Sequence, residues 1–196
     1  MRLLIVGDST AVGTGASSPA SSLAGLLAEQ YPRLWIDNRA RDGAKFADVL
    51  QQLSGPERFD MVLVQAGGND VIRMRGMDAL REDIERVVDA ANARAPLVVL
   101  MPAGNVGNAP FFFVPVSWLM TQRARAMHRL VADKAQRTGA VYVKLFHERE
   151  NDPFVADRSL NARDGLHPSD KGYRSWWQAL REQAGLDTRL AAARAG

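Results

Sequence analysis

The stretch Arg2-Leu3-Leu4-Ile5-Val6-Gly7-Asp8-Ser9-Thr10 sets the reading of the whole chain. Leu3 to Val6 is a short, wholly apolar run stopped by Gly7 and Asp8, the pattern of a strand buried on both faces of a parallel sheet. The run is also too short for the core of a signal peptide, so the chain as given is expected to be cytoplasmic. Similar runs recur at Leu34 to Ile36, Met61 to Val64, Leu97 to Met101 and Val141 to Leu145. Helical candidates fill the gaps at Ser22 to Gln30, Lys45 to Leu53, Met77 to Ala93 and Thr121 to Thr138, with another from Pro168 to about Gln183. In the third of these, Leu80, Ile84, Val87, Val88 and Ala91 recur at intervals of three and four and mark one apolar face. Strand alternating with helix predicts an α/β fold with helices on both sides of the sheet.

Length and composition bound the rest. A chain of 196 residues, 46% hydrophobic, can bury one core, and no repeat, low-complexity tract or linker divides it. One domain over residues 1–196 is expected, with the Ala- and Arg-rich stretch 187–196 as a frayed helical tail. The net charge is +3, but no run of five like charges appears, so a nucleic-acid partner is not expected. The absence of cysteine removes disulfides, a thiol nucleophile and thiolate metal sites. No apolar stretch approaches the ~20 residues of a membrane span.

The chemistry gathers where the strands end. Gly7-Asp8-Ser9-Thr10 follows the first run and Asn38-Arg39-Ala40-Arg41-Asp42-Gly43-Ala44 the second. Gly67-Gly68-Asn69-Asp70 follows the third, and Asp164-Gly165-Leu166-His167-Pro168 lies beyond the fifth. In a parallel sheet all four segments reach one edge, where ligands bind. There a serine hydroxyl needs a base to become a nucleophile, and an imidazole serves near neutral pH when a carboxylate fixes its tautomer. Ser9, His167 and Asp164 supply these parts. The backbone N–H groups of Ser9 and Gly43 and the side-chain amide of Asn69 are candidates for the donors that a tetrahedral oxyanion requires.

On these residues the chain resembles the SGNH (GDSL-type) hydrolase family. Gly7-Asp8-Ser9, Gly43, Gly67-x-Asn69-Asp70 and Asp164-x-x-His167 match its motif blocks in order over almost the whole chain, with Ala40 where many members have glycine. The resemblance implies a three-layer α/β/α sandwich with a five-stranded parallel sheet, flavodoxin-like, and an esterase that needs no metal or other cofactor. It implies Ser9, Gly43, Asn69 and His167 as the four residues behind the family name. Its substrate would be a small-molecule acyl ester, of small to medium chain length, cleaved through an acyl-serine intermediate. A thioesterase or carbohydrate O-deacetylase would use the same parts. A non-catalytic binding module on this scaffold would have no evident use for the full set.

Other residues take blander readings. Asp8 is expected to cap its turn, and Asp70 to cap the segment that follows it. His128 is expected to be solvated on a helix of mixed polarity, and His147, after the fifth strand, is the competing base. Trp176 and Trp177 are expected to serve core packing, and Arg39 and Arg41 to be solvated. Gly13-x-Gly15 lacks the third glycine of a dinucleotide site, and no Gly-x-x-x-x-Gly-Lys-Ser/Thr loop occurs. The segment 110–120, apolar and interrupted by Pro110 and Pro115, is expected to be irregular. It is read as local core, a lid or an acyl wall, with Phe112 and Trp118 as candidate substrate-binding residues.

Overall fold

The computed structural model of the chain describes residues 1–193. Five strands, β1 (Arg2–Gly7), β2 (Trp35–Asn38), β3 (Met61–Gln65), β4 (Leu97–Leu100) and β5 (Val141–Tyr142), form one parallel sheet in the order β2-β1-β3-β4-β5. The helices between the strands are α1 (Ser9–Val12), α2 (Leu23–Gln30), α3 (Phe46–Gln52), α4 (Gly68–Ile72), α5 (Met77–Asn92) and α6 (Val116–Thr138), and α7 (Pro153–Ala156), α8 (Asp170–Gln183) and α9 (Leu186–Arg189) follow β5. Strand order reverses between β1 and β3, which puts the carboxyl ends of those two strands at the crevice where such sheets bind ligands.

Alternation along each strand builds two cores. Leu4, Val6, Val62, Val64, Val98 and Leu100 point to one face, where α3, α5 and α6 cover them. Leu3, Ile5, Met61, Leu63, Val99 and Val143 point to the other, beneath α2, α8 and α9. Period-2 geometry applied to wholly apolar runs therefore gives the sandwich its three layers.

Four expectations are corrected. β5 closes at Tyr142 rather than Leu145, because the side-chain amide of Gln183 takes over the backbone of Lys144, accepting its N–H at 2.8 Å and donating to its carbonyl at 3.2 Å. Residues 116–120 are helical: Pro115 stands just before the first residue of α6, where a missing N–H breaks no helical bond. His128 is buried, and so are its neighbours on the inner stripe of α6, Ala124, Met127 and Val131. The stretch 187–193 is docked rather than frayed, since Leu190 and Ala193 are fully buried and the Ala193 carbonyl accepts the Arg33 N–H at 3.1 Å. The remainder of the expected tail, 194–196, lies outside the described residues.

Candidate active site

Ser9 is placed by the turn at the end of β1. Gly7 has φ +151°, and a Cβ there would stand 1.8 Å from the Gln65 carbonyl oxygen, so only glycine fits. The buried Gln52 amide holds this residue from both sides, accepting the Gly7 N–H at 2.7 Å and donating to its carbonyl at 2.9 Å. Asp8 then caps α1, its Oδ1 accepting the Thr10 N–H and hydroxyl at 2.9 and 2.7 Å. Burial pushes the Asp8 carboxyl up to about 6 against those hydrogen bonds. Ser9 is left as the first helical residue, its hydroxyl free to face the edge of the sheet.

The next two segments are tied together. Gly43 occupies a left-handed turn at φ +75°. Asn69 donates one amide hydrogen to the Ala44 carbonyl at 3.1 Å, leaving its second for a ligand. Asp70 caps a helix other than the expected one, accepting the N–H of Phe46, the first residue of α3, at 3.0 Å. Its burial likewise raises its carboxyl to about 6. Among the described residues, no acceptor is paired with the N–H of Ser9 or of Gly43.

The last segment folds around Asp164. Its Oδ1 accepts the N–H groups of Leu166 and His167 at 2.9 and 3.0 Å, and its Oδ2 lies 2.5 Å from His167 Nδ1. Partial burial would raise this carboxyl, but the hydrogen bonds from His167 and Leu166 outweigh it and hold it at about 2. A carboxylate only accepts, so Nδ1 carries the hydrogen and Nε2 presents a lone pair. That Nε2 is 2.8 Å from Ser9 Oγ. A hydroxyl so placed can lose its proton to the ring as the oxygen attacks an electrophile.

Ser9, Gly43, Asn69 and His167 all line one cavity of about 500 Å³, within the range of small-molecule sites. His147 lines it too, but it is His167 whose ring meets Ser9. Phe112 and Trp118 are not among the lining residues: Phe112 packs on the core and Trp118 is exposed. Arg39 is paired with Asp37 at 2.7 Å rather than simply solvated. The wall that sequence reading missed is made by Phe154, Asn161, Leu145 and Trp176. Trp176 looked like plain core because a tryptophan on the inner face of a helix reads the same whether its edge meets packing or a cavity.

The chain belongs to the GDSL-like Lipase/Acylhydrolase family, whose model matches residues 5–175. Solved structures share the fold at low identity. A structure named TesA is 19% identical, with 96% of this chain and 99% of that one covered and a TM-score of 0.74. A lipase/acylhydrolase from Enterococcus faecalis is 19% identical, with 96% and 97% covered and a TM-score of 0.73. An acetyl-xylooligosaccharide esterase from Geobacillus Stearmophilus is 21% identical, with 94% of each chain covered and a TM-score of 0.64. No curated protein matches the sequence.

Proposed function

We propose that the chain is a serine esterase acting as one hydrolase domain. The observation that carries this is the unbroken Ser9–His167–Asp164 hydrogen-bond relay, 2.8 and 2.5 Å long, opening on the cavity. Ser9 Oγ attacks the acyl carbonyl carbon while His167 Nε2 takes its proton. The oxyanion is met by the N–H groups of Ser9 and Gly43 and the free amide hydrogen of Asn69. Collapse breaks the ester bond, the alcohol leaves with the proton from His167, and the acyl group stays on Ser9. Water, deprotonated by the same ring, then releases the carboxylic acid and restores Ser9. Asp164 stays ionised throughout and steadies the imidazolium.

The mainly apolar wall of Leu145, Phe154 and Trp176 favours small to medium acyl chains. The relatives' names include an acetyl-xylooligosaccharide esterase, and the same steps cleave a thioester or an acetylated sugar, so both belong in the substrate panel. The test is hydrolysis of p-nitrophenyl esters from acetate upward by wild type and Ser9→Ala. Wild type should turn over, and the variant should lose more than about a thousandfold in kcat. Equal activity in both would remove Ser9 from the mechanism.

A further inference from the structure

The stretch 111–119, which leads into and begins α6, takes no part in that scheme. Phe112 turns inward, but Phe113 is 76% exposed, Val114 79% and Trp118 64%, and Phe111, Val116 and Leu119 are exposed with them. So many large apolar side chains within nine consecutive residues form a patch, not the scattered exposure normal on a protein surface.

The patch adjoins the catalytic loop. The Phe111 N–H donates to the Gly165 carbonyl at 3.0 Å, and Gly165 lies two residues before His167. On the other flank, Arg123 of α6 donates to the carbonyls of Val71 and Arg75, holding the turn after α4 against the helix. There Met74 stands exposed in a left-handed conformation at φ +57°. Two exposed cations frame the same region: Arg163 on the catalytic loop, and Arg73, whose guanidinium lies 3.1 Å from where a Cβ on Gly43 would be. Neither has an ion-pair partner among the described residues.

We propose that this patch docks the protein on an anionic lipid surface, with the mouth of the cavity turned toward the lipid. Phe and Trp side chains settle at the boundary between headgroups and acyl chains, while arginines meet anionic headgroups. A second copy of the chain fits less well. A two-fold contact sets each patch against itself and brings Arg73 and Arg163 toward cations of the other copy, whereas an anionic bilayer meets them with opposite charge. The attachment is peripheral, since no helix of the described residues is long and apolar enough to cross a membrane. The inference goes beyond the esterase reading, because it concerns where the protein sits rather than what bond it cleaves.

The test is flotation with vesicles of phosphatidylcholine alone and of phosphatidylcholine mixed with phosphatidylglycerol. It compares wild type with the double variant Phe113→Ser, Val114→Ser. Wild type should float with the mixed vesicles, more weakly with the neutral ones, and added salt should reduce the difference. The double variant, checked for an unchanged melting curve, should bind at least about tenfold more weakly. Failure of wild type to float with either vesicle overturns the proposal, as does equal flotation of the variant. If wild type is a dimer, the variant a monomer and neither floats, the patch is a self-association surface and the proposal falls. Flotation needs no turnover: a protein that floats but hydrolyses no ester keeps this inference and sinks the esterase reading.

Discussion

Asp164 grips His167 at two points at once, its Oδ1 on the backbone N–H and its Oδ2 on ring Nδ1 at 3.0 and 2.5 Å. One carboxylate three residues away thus fixes both the path of the loop and the tautomer of the ring. The two jobs separate in variants. Asp164→Asn keeps an oxygen for the backbone N–H groups, but can set an amide N–H against Nδ1 and so reverse the tautomer that the proposed mechanism requires. Its kcat should fall by about 10²–10⁴ with little change in KM or melting temperature. Asp164→Ala should lose the turn as well and show a lower melting temperature. If Asp164→Asn kept full turnover, the ring would be oriented by something else.

His128 provides a pH dependence unconnected with catalysis. Its Nε2 lies 2.8 Å from the Ala103 carbonyl, which can only accept, so Nε2 carries the hydrogen and Nδ1 accepts from the Tyr142 hydroxyl at 2.6 Å. The neutral ring is fully paired there. Burial, with Lys144 and His147 adding positive charge nearby, holds it down to about 4 from an ordinary 6.5. The unfolded chain therefore takes up this proton first as pH falls. The associated stability is present above pH 6.5 and is lost on the way down to about 4, by about 3 kcal/mol. Urea titrations of wild type and His128→Gln at a series of pH values should show their stability difference shrinking across that window. A difference independent of pH would mean the buried ring is not the group responsible.

The case of His128 also shows where the sequence stops being legible. The strands were readable because each carries a short apolar run, although edge strand β2 runs on through the polar Asp37 and Asn38, past the expected end at Ile36. The four chemical segments were readable because each lies beyond such a run. The inner stripe of α6, by contrast, carries His128 and Lys134 among Met120, Ala124, Met127 and Val131, so no clean apolar face marks it. Lys134 is buried only because Glu85 and Asp89 of α5 reach it at 2.9 and 2.6 Å, a partnership between distant segments that periodicity cannot reveal. Asp70 is similar: its cap is on α3, not on its own helix, because the fold brings Phe46 beside it. The docked stretch 187–193 was missed because its apolar anchors, Leu190 and Ala193, are few, and its polar ones, Asp187 with Arg181 and with the Tyr31 hydroxyl, meet only in the folded chain. The cavity wall was hidden for a related reason, since its residues come from the loop after β5, α7, the stretch before Asp164 and α8, and meet only in the folded chain.

Trp176 is the residue by which that wall can be tested. It is buried on α8, packs on Phe154 with ring centroids 5.9 Å apart, and shows one side to the cavity that holds Ser9. If the acyl chain runs along this wall, the indole limits how long a chain fits. Trp176→Ala removes it and enlarges the space, at a stability cost of about 3–5 kcal/mol if the site does not collapse. Trp176→Phe keeps most of the packing and makes a smaller opening. Measured as kcat/KM across p-nitrophenyl esters, the chain-length optimum should move toward longer acyl groups in Trp176→Phe and further in Trp176→Ala. The short esters should lose about tenfold as their contact with the wall disappears. A profile that falls uniformly at every length in both variants would show that Trp176 only supports the fold, and the acyl chain would have to be sought on another side of the cavity.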